Sequence, residues 1–372
     1  MSAQTGTVGY VGSIPVRNLW LLMLYASRLY REIPANRRFA AEENPDDIPN
    51  LVAEILVRAV QIRLRRNLSA ELLVTQADLI RVRGRIDHLR TRRHSLLERG
   101  KVACIFDELT TDTPRNRYVL AALRKLVRVV SDEDLARRCR TIAGALERAG
   151  VRPQQAGSLH SARTRSHAAG RAHTEDRRML AAARLAFDLG LPTEEAGRSH
   201  LTSPDRDKRW AERLFEAAVG GFYDTVLAPR NYRVTCSTKI RWPTEDETPG
   251  MTAILPIMER DIVLERPPAA DGTRPRVVID TKFTRILKRS HHGVERLHSG
   301  YIYQIYAYLR SQESRHDPRS LDSEGLLLHP SVEGEVDEAA TIQGHRIRFA
   351  TVDLAADSVA IRSRLLSLVG AG

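Results

Sequence analysis

Val277-Val278-Ile279-Asp280-Thr281-Lys282-Phe283 decides how the second half of this chain is read. The run opens on three apolar residues, the composition of a central strand covered on both faces. It then places Asp280 and Lys282 two residues apart. Side chains alternate along a strand, so both point to one side near its end. A carboxylate and an ammonium leaving a buried strand need partners or a task, because an unpaired buried charge is costly. Upstream, Asp261 heads the run Asp261-Ile262-Val263-Leu264. Pro267, Pro268 and Asp271-Gly272 lie between the two runs, a turn-rich stretch that fits a hairpin. Pairing of these strands would bring Asp261 within reach of Asp280.

Two carboxylates sharing a site repel, and without a cation one of them must hold its proton. A divalent metal resolves the conflict. Mg²⁺, with Mn²⁺ as a substitute, takes a few carboxylate oxygens and fills its shell with water and phosphate oxygens. Asp261 and Asp280 are therefore the expected metal ligands. Lys282 would hold or deprotonate an attacking water and neutralise charge developing on phosphate. The competing reading is an ordinary strand-end ion pair between Asp280 and Lys282 with Asp261 elsewhere, since D-x-K tripeptides are common by chance.

Outward from this strand, the periodicity predicts a helix over 205–226 with Leu214, Phe215, Ala218, Val219 and Phe222 inside. Strands are predicted at 233–240, 260–265 and 276–283, then a helix over 294–310, strands at 325–329 and 347–352, and a closing helix at 357–368. This is an α/β arrangement with a mixed central sheet flanked by helices. Glu216 either completes the metal's outer shell through water or sits at the polar edge of its helix. Tyr303 and Gln304 either face the site, where Gln304 can hydrogen-bond a water or phosphate, or belong to the helix's packing face. Tyr306 and Tyr308 read as core. His291, His292 and His298 fall in what reads as an exposed basic loop, suited to phosphate contact or to no role rather than to metal ligation.

The first half reads as α+β. Apolar spacing predicts helices over 14–30 and 50–66. From Asp78 to Asp87 the pattern alternates, with Ile80, Val82 and Ile86 on one side and Arg81, Arg83 and Arg85 on the other. That is the pattern of a half-buried strand, with Gly84 marking a bulge or a close backbone approach. A strand at 102–106 and an acidic loop at 107–112 follow. Thr113-Pro114 reads as a helix start, Thr as N-cap and Pro in the first turn. Residues 151–176 are rich in Gly, Ser, Ala, His and Arg and read as a linker or mobile loop. The expected division is thus 1–150, 151–176 and 177–372.

The chain has 372 residues, 42% of them hydrophobic, with a formal charge of +12. It can build sizeable cores, and its basic excess points to a polyanion, with nucleic acid first. Cys104, Cys139 and Cys236 lie far apart and read as small buried residues in a reducing compartment. No signal sequence and no long apolar run appears, which implies a cytoplasmic protein with no membrane span.

The order Asp261, Asp280-Thr281-Lys282, Tyr303-Gln304 resembles the PD-(D/E)xK nuclease superfamily, with Arg260 where the naming proline would stand. More broadly the chain resembles the McrC family, the nuclease subunit of McrBC modification-dependent restriction systems. The stretches that carry this are Ile14-Pro15-Val16-Arg17-Asn18-Leu19, Leu24-Tyr25-Ala26, Arg83-Gly84-Arg85-Ile86-Asp87, Phe106-Asp107-Glu108-Leu109-Thr110, Asn116 and Leu214-Phe215-Glu216. The resemblance implies an endonuclease subunit cutting double-stranded DNA in a 5-methylcytosine-type system. It also implies a partner, an McrB-like AAA+ GTPase hexamer. The chain has no G-x-x-x-x-G-K-[ST] loop of its own, so nucleotide chemistry would fall to that partner. The N-terminal domain would engage and stimulate the motor, with Arg81, Arg83 and Arg85 contacting the partner or DNA backbone. Two alternatives to this reading are an adaptor with an idle nuclease fold and a stand-alone nuclease.

Overall fold

The computed structural model describes residues 10–11, 14–153, 174–191, 204–270, 272–289, 295–314, 316–317, 320–331 and 335–372. They divide into two compact units, Met1–Ile48 with Asp188–Gly372, and Pro49–Phe187. This differs from the division expected at residues 150 and 177.

The chain begins with a short ribbon, β1 (Tyr10–Val11) and β2 (Ile14–Pro15), and three helices, α1 (Val16–Ala26), α2 (Arg28–Glu32) and α3 (Ala35–Glu43). The single helix expected over 14–30 is broken at Ser27. This residue is extended, and its side chain accepts the Tyr30 N–H as the N-cap of α2.

The second unit holds α4 (Ile48–Arg65), β3 (Glu71–Leu79), β4 (Arg85–Ile86), α5 (His88–Arg93), β5 (Val102–Thr110), α6 (Pro114–Leu126), α7 (Glu133–Arg148) and most of α8 (Thr174–Leu189). Thr113 caps α6 through the Asn116 N–H, and Pro114 follows it, as expected. Asn116 in turn donates to the carbonyls of Ser69 and Thr111. Asp176 is no linker residue; it is buried and paired with Arg63 and Arg115. The rest of the expected linker, 154–173, lies outside the described residues.

Two expectations fail here. The acidic loop at 107–112 is mostly strand, because β5 pairs with β3 along its whole length, Glu71↔Thr110 to Leu79↔Val102. The alternating strand 78–87 does not form. β3 ends at Leu79, and Ile80 and Val82 are 81% and 60% exposed. Gly84 forces the turn. Its φ is +66°, and a Cβ there would stand 2.4 Å from the Ile105 carbonyl oxygen. Arg81 and Arg83 lie in this turn and Arg85 opens β4, so the three do not share a strand face. Arg83 lies over the Phe106 ring at 4.2 Å and near Glu108 at 3.7 Å.

The remaining elements complete the first unit. They are α9 (Pro204–Leu227), β6 (Arg233–Ile240), α10 (Met251–Ile254), β7 (Met258–Glu265), β8 (Arg276–Thr281), β9 (Leu287–Arg289), β10 (Glu295–Leu297), α11 (Ser299–Arg310), β11 (Glu324–Ser331), β12 (Asp337–Ile342), β13 (His345–Asp353) and α12 (Ser358–Leu368). Six strands form one mixed sheet, ordered β12-β13-β11-β8-β7-β6. β6, β7 and β8 run antiparallel; β8, β11 and β13 run parallel; β12 closes one edge antiparallel. The helix expected from residue 294 starts at Ser299, since Glu295–Leu297 pairs with Leu287–Arg289 instead. No helix of the described residues is long and apolar enough to cross a membrane.

The N-terminal helices join this unit through specific bonds. Asn18 Nδ2 donates to the carbonyls of Leu354 and Ala356 at 2.8 and 2.9 Å. α1 packs so closely on α9 that a Cβ on Gly221 would stand 2.1 Å from the Tyr25 carbonyl oxygen. Glu42, buried at the end of α3, takes the Tyr30 hydroxyl on one oxygen and Arg362 of α12 on the other, the latter at 2.7 Å. A buried carboxylate is tolerated when paired in this way. This long-range packing explains why the first 48 residues belong with the last 185.

Candidate active site

The β7–β8 ladder runs from Glu265↔Arg276 to Ile262↔Ile279 and stops there. In place of a further rung, the Thr281 N–H and hydroxyl both donate to Asp261 Oδ2, at 2.7 and 2.8 Å. The strands part just where the apolar pattern gives way to charge. β8 stays fixed on its other side, where Lys282 N–H donates to the Leu328 carbonyl. Asp261 is thereby fastened to the residue between Asp280 and Lys282, as the expected hairpin required.

Asp280 is wholly buried, and its Oδ1 has no hydrogen-bond partner. Its Oδ2 lies 2.7 Å from Lys282 Nζ, a contact of ion-pair distance without good hydrogen-bond alignment. Burial pushes the Asp280 carboxyl up to about 6; Lys282 draws it down and Asp261 pushes it further up. Burial also works against the Lys282 ammonium, but Asp280 beside it outweighs this and holds Lys282 above its ordinary value. Lys282 Nζ also lies 5.4 Å from the centre of the Tyr301 ring.

Glu216 comes from α9. It is half-buried, and its Oε1 accepts from Ser237 at 3.3 Å. Burial raises its carboxyl, and the nearby Asp261 charge adds to this. Gln304 Nε2 donates to the Tyr308 hydroxyl at 2.7 Å, and Tyr308 donates onward to the Glu259 carbonyl at 2.6 Å. A carbonyl only accepts, so the phenol's proton points to Glu259 and its oxygen receives Gln304. The amide orientation follows, leaving Gln304 Oε1 uncommitted in this chain of bonds. Glu216, Asp261, Gln304 and Tyr308 line one open cleft of about 620 Å³.

Among the described residues, no three His, Cys, Asp or Glu side chains converge to hold a metal by protein atoms alone. Asp261 and Asp280 supply the one or two carboxylates that Mg²⁺ needs, an ion that otherwise keeps waters. Asp280 Oδ1, buried without a partner beside a second carboxylate, is the atom such an ion would satisfy.

Asp261, Asp280, Lys282, Glu216 and Gln304 are thus brought to one place. Arg81, Arg83 and Arg85 lie in the other unit. His298 is exposed and stacks on Tyr301 at 4.4 Å, while His291 and His292 lie outside the described residues. Thr281 and Tyr308 were missed as site residues. Thr281 sits on the opposite parity from Asp280, and Tyr308 reads as core, as its 7% exposure shows. A spacing of four from Gln304 was the available signal for Tyr308. Cys104 and Cys139 are buried as expected, but Cys236 on β6 is exposed.

Residues 8–173 match the family described as McrBC 5-methylcytosine restriction system component. A curated relative, the type IV methyl-directed restriction enzyme EcoKMcrBC of Escherichia coli (strain K12), is 24% identical over 357 residues. The match covers 95% of this chain and 97% of the relative. Over these spans the chain is similar to components of McrBC restriction systems. Two solved structures are also similar. One is a half-complex from a tetradecameric assembly of Thermococcus gammatolerans McrB AAA+ hexamers with bound McrC. It has 14% identity and a TM-score of 0.42, covering 95% of this chain and 76% of that one. The other is the Thermococcus gammatolerans McrBC complex, with 15% identity and a TM-score of 0.33, covering 50% and 59%. The matched family segment ends before α9, so the Asp261–Asp280–Lys282 cluster lies outside it.

Proposed function

We propose that the cluster hydrolyses DNA phosphodiester bonds with Mg²⁺, Mn²⁺ serving as substitute, as a PD-(D/E)xK-type nuclease centre. The chain would then be the cutting subunit of a 5-methylcytosine-directed restriction system acting against foreign DNA in the cytoplasm. The observation that carries this is Asp280, wholly buried with an unpartnered Oδ1, set beside Lys282 and next to the residue that anchors Asp261.

Asp261 and Asp280 would hold the ion, with Glu216 reaching it through water. Bound Mg²⁺ supplies positive charge to the phosphate and acidifies nearby water. Lys282, held as an ammonium by Asp280, orients the attacking water and neutralises charge on phosphate rather than removing a proton. Gln304 Oε1, aimed by Tyr308, accepts a hydrogen bond from that water.

By the same reading, the chain works with an McrB-like AAA+ GTPase hexamer that brings double-stranded DNA, and stimulates its hydrolysis. The apolar exposure of the β3–β5 ribbon supports a protein partner. Leu72, Leu73, Val74 and Leu109 are 56–70% exposed, more contiguous apolar surface than a solvated ribbon needs. Arg81, Arg83 and Arg85 at the ribbon's far end supply charge for the partner or for DNA backbone.

The test combines the protein, the motor, GTP, methylated duplex DNA and Mg²⁺. Wild type should cut, and Asp280→Ala and Lys282→Ala should each lose at least about 100-fold in rate. Cleavage persisting in either variant would remove the assignment.

A further inference from the structure

A second pocket, of about 570 Å³, adjoins the site on the far side of Tyr301. Its lining contrasts with the acidic cleft. Lys208 of α9 and Arg285 face it with Thr284, His298 and Tyr301, and Glu295 is the only acid among the described lining residues. The Thr284 hydroxyl has no hydrogen-bond partner among the described residues. This wall is held in place. Buried His329 meets the Thr284 carbonyl through Nδ1 at 2.8 Å, and since a carbonyl only accepts, that nitrogen carries the proton. Tyr301 is shared between pocket and centre, with His298 stacked on its ring and Lys282 5.4 Å from the ring centre.

Tyr301 and Gln304 lie three residues apart on one helix, roughly 5 Å along its axis. Gln304 lines the acidic cleft and Tyr301 the basic pocket. A DNA strand advances about 3.4 Å per nucleotide, so the offset amounts to one or two nucleotides. The acidic cleft suits a cation, whereas the basic pocket suits an anion a short step along the same strand.

We propose that this pocket receives the backbone phosphate neighbouring the one that is cut. Lys208 and Arg285 supply charge, and His298, set by the Tyr301 stack, supplies a ring donor at the mouth. The pocket thereby fixes the register of the strand over Asp280 and Lys282. This rests on the nuclease reading above and assigns part of its substrate.

The test uses the full-length chain and a fluorescein-labelled DNA duplex, with Ca²⁺ replacing Mg²⁺, over a salt series from 50 to about 200 mM. Lys208 and Arg285 are exposed, so Lys208→Ala/Arg285→Ala should fold normally. Lys208→Met/Arg285→Met keeps the apolar stems as a second version. Arg137→Ala/Arg138→Ala, on exposed positions of α7, removes the same charge elsewhere. Both pocket variants should bind about 10-fold more weakly and lower the log–log salt slope by about 1, with the α7 variant unchanged. Pocket variants that bind like wild type, or fall only as far as the α7 variant, overturn the pocket. So does a wild type that binds no duplex at 50 mM salt. Cleavage is measured separately with Mg²⁺. A wild type that binds through the pocket but never cuts, with the motor and GTP present, would overturn the nuclease reading alone.

Discussion

Burial holds the Asp280 carboxyl at about 6, above its ordinary 3.8. In divalent-free buffer its contribution to stability is complete below pH 3.8 and is lost as pH rises through about 6. His329 acts in the opposite direction. Burial lowers it from 6.5 to about 4, so its contribution is complete above pH 6.5 and is lost as pH falls through 4. Each is worth roughly 3 kcal/mol across its window, and the windows overlap. Between pH 4 and 6.5 these two contributions therefore offset each other in the wild type. Asp280→Asn should reveal a melting temperature that climbs with pH, and His329→Gln one that falls. A flat profile in both variants would mean these groups are not coupled to folding. At this scale much was legible. The parity of Asp280 and Lys282 follows from strand period alone, and the upstream run places Asp261 opposite them. Thr281 was not legible, because its role comes from strands parting at one rung, which no local pattern encodes.

Helix α9 carries the sharpest conflict between local preference and packing. Alanine normally improves a helix over glycine by about 1 kcal/mol. At Gly221 the added Cβ would lie 2.1 Å from the Tyr25 carbonyl oxygen, a backbone atom that cannot swing away. Overpacking costs of 1–3 kcal/mol or more then outweigh the propensity gain. Gly221→Ala should destabilise the protein by about 2 kcal/mol or more in a denaturant titration; a gain in stability would show that α1 is free to shift. α6, with one buried face, was readable because its apolar residues keep a period, and β7 and β8 because they carry unbroken apolar runs. β3 and β12 were not. Their residues are exposed or half-exposed almost throughout, so neither strand shows alternation. Ile80 and Val82 misled for the related reason that they are apolar without being buried.

Each unit has its own core, but only the second is continuous in sequence. Residues 49–187 expressed alone should melt cooperatively. Residues 188–372 alone should not, since Phe222 would lose the cover of Tyr25 in α1, and Arg362 would lose Glu42. A cooperative melt from the 188–372 fragment would contradict this. Sequence patterns gave no sign of the arrangement, because the bonds that make it, such as Asn18 to Leu354, join residues 336 apart. That separation sets a clock on synthesis. When α1 to α3 leave the ribosome their cover does not yet exist, and the chain must grow by some 180 residues before α9 is complete. At 5–20 residues per second this takes roughly 10–40 s, and α12 comes later still. An interrupted message would yield a fragment in which the six-stranded sheet lacks its last strands, so the chemistry housed there is withheld until translation is almost finished. Under the proposed nuclease reading, late completion would keep unfinished copies harmless to the cell that makes them.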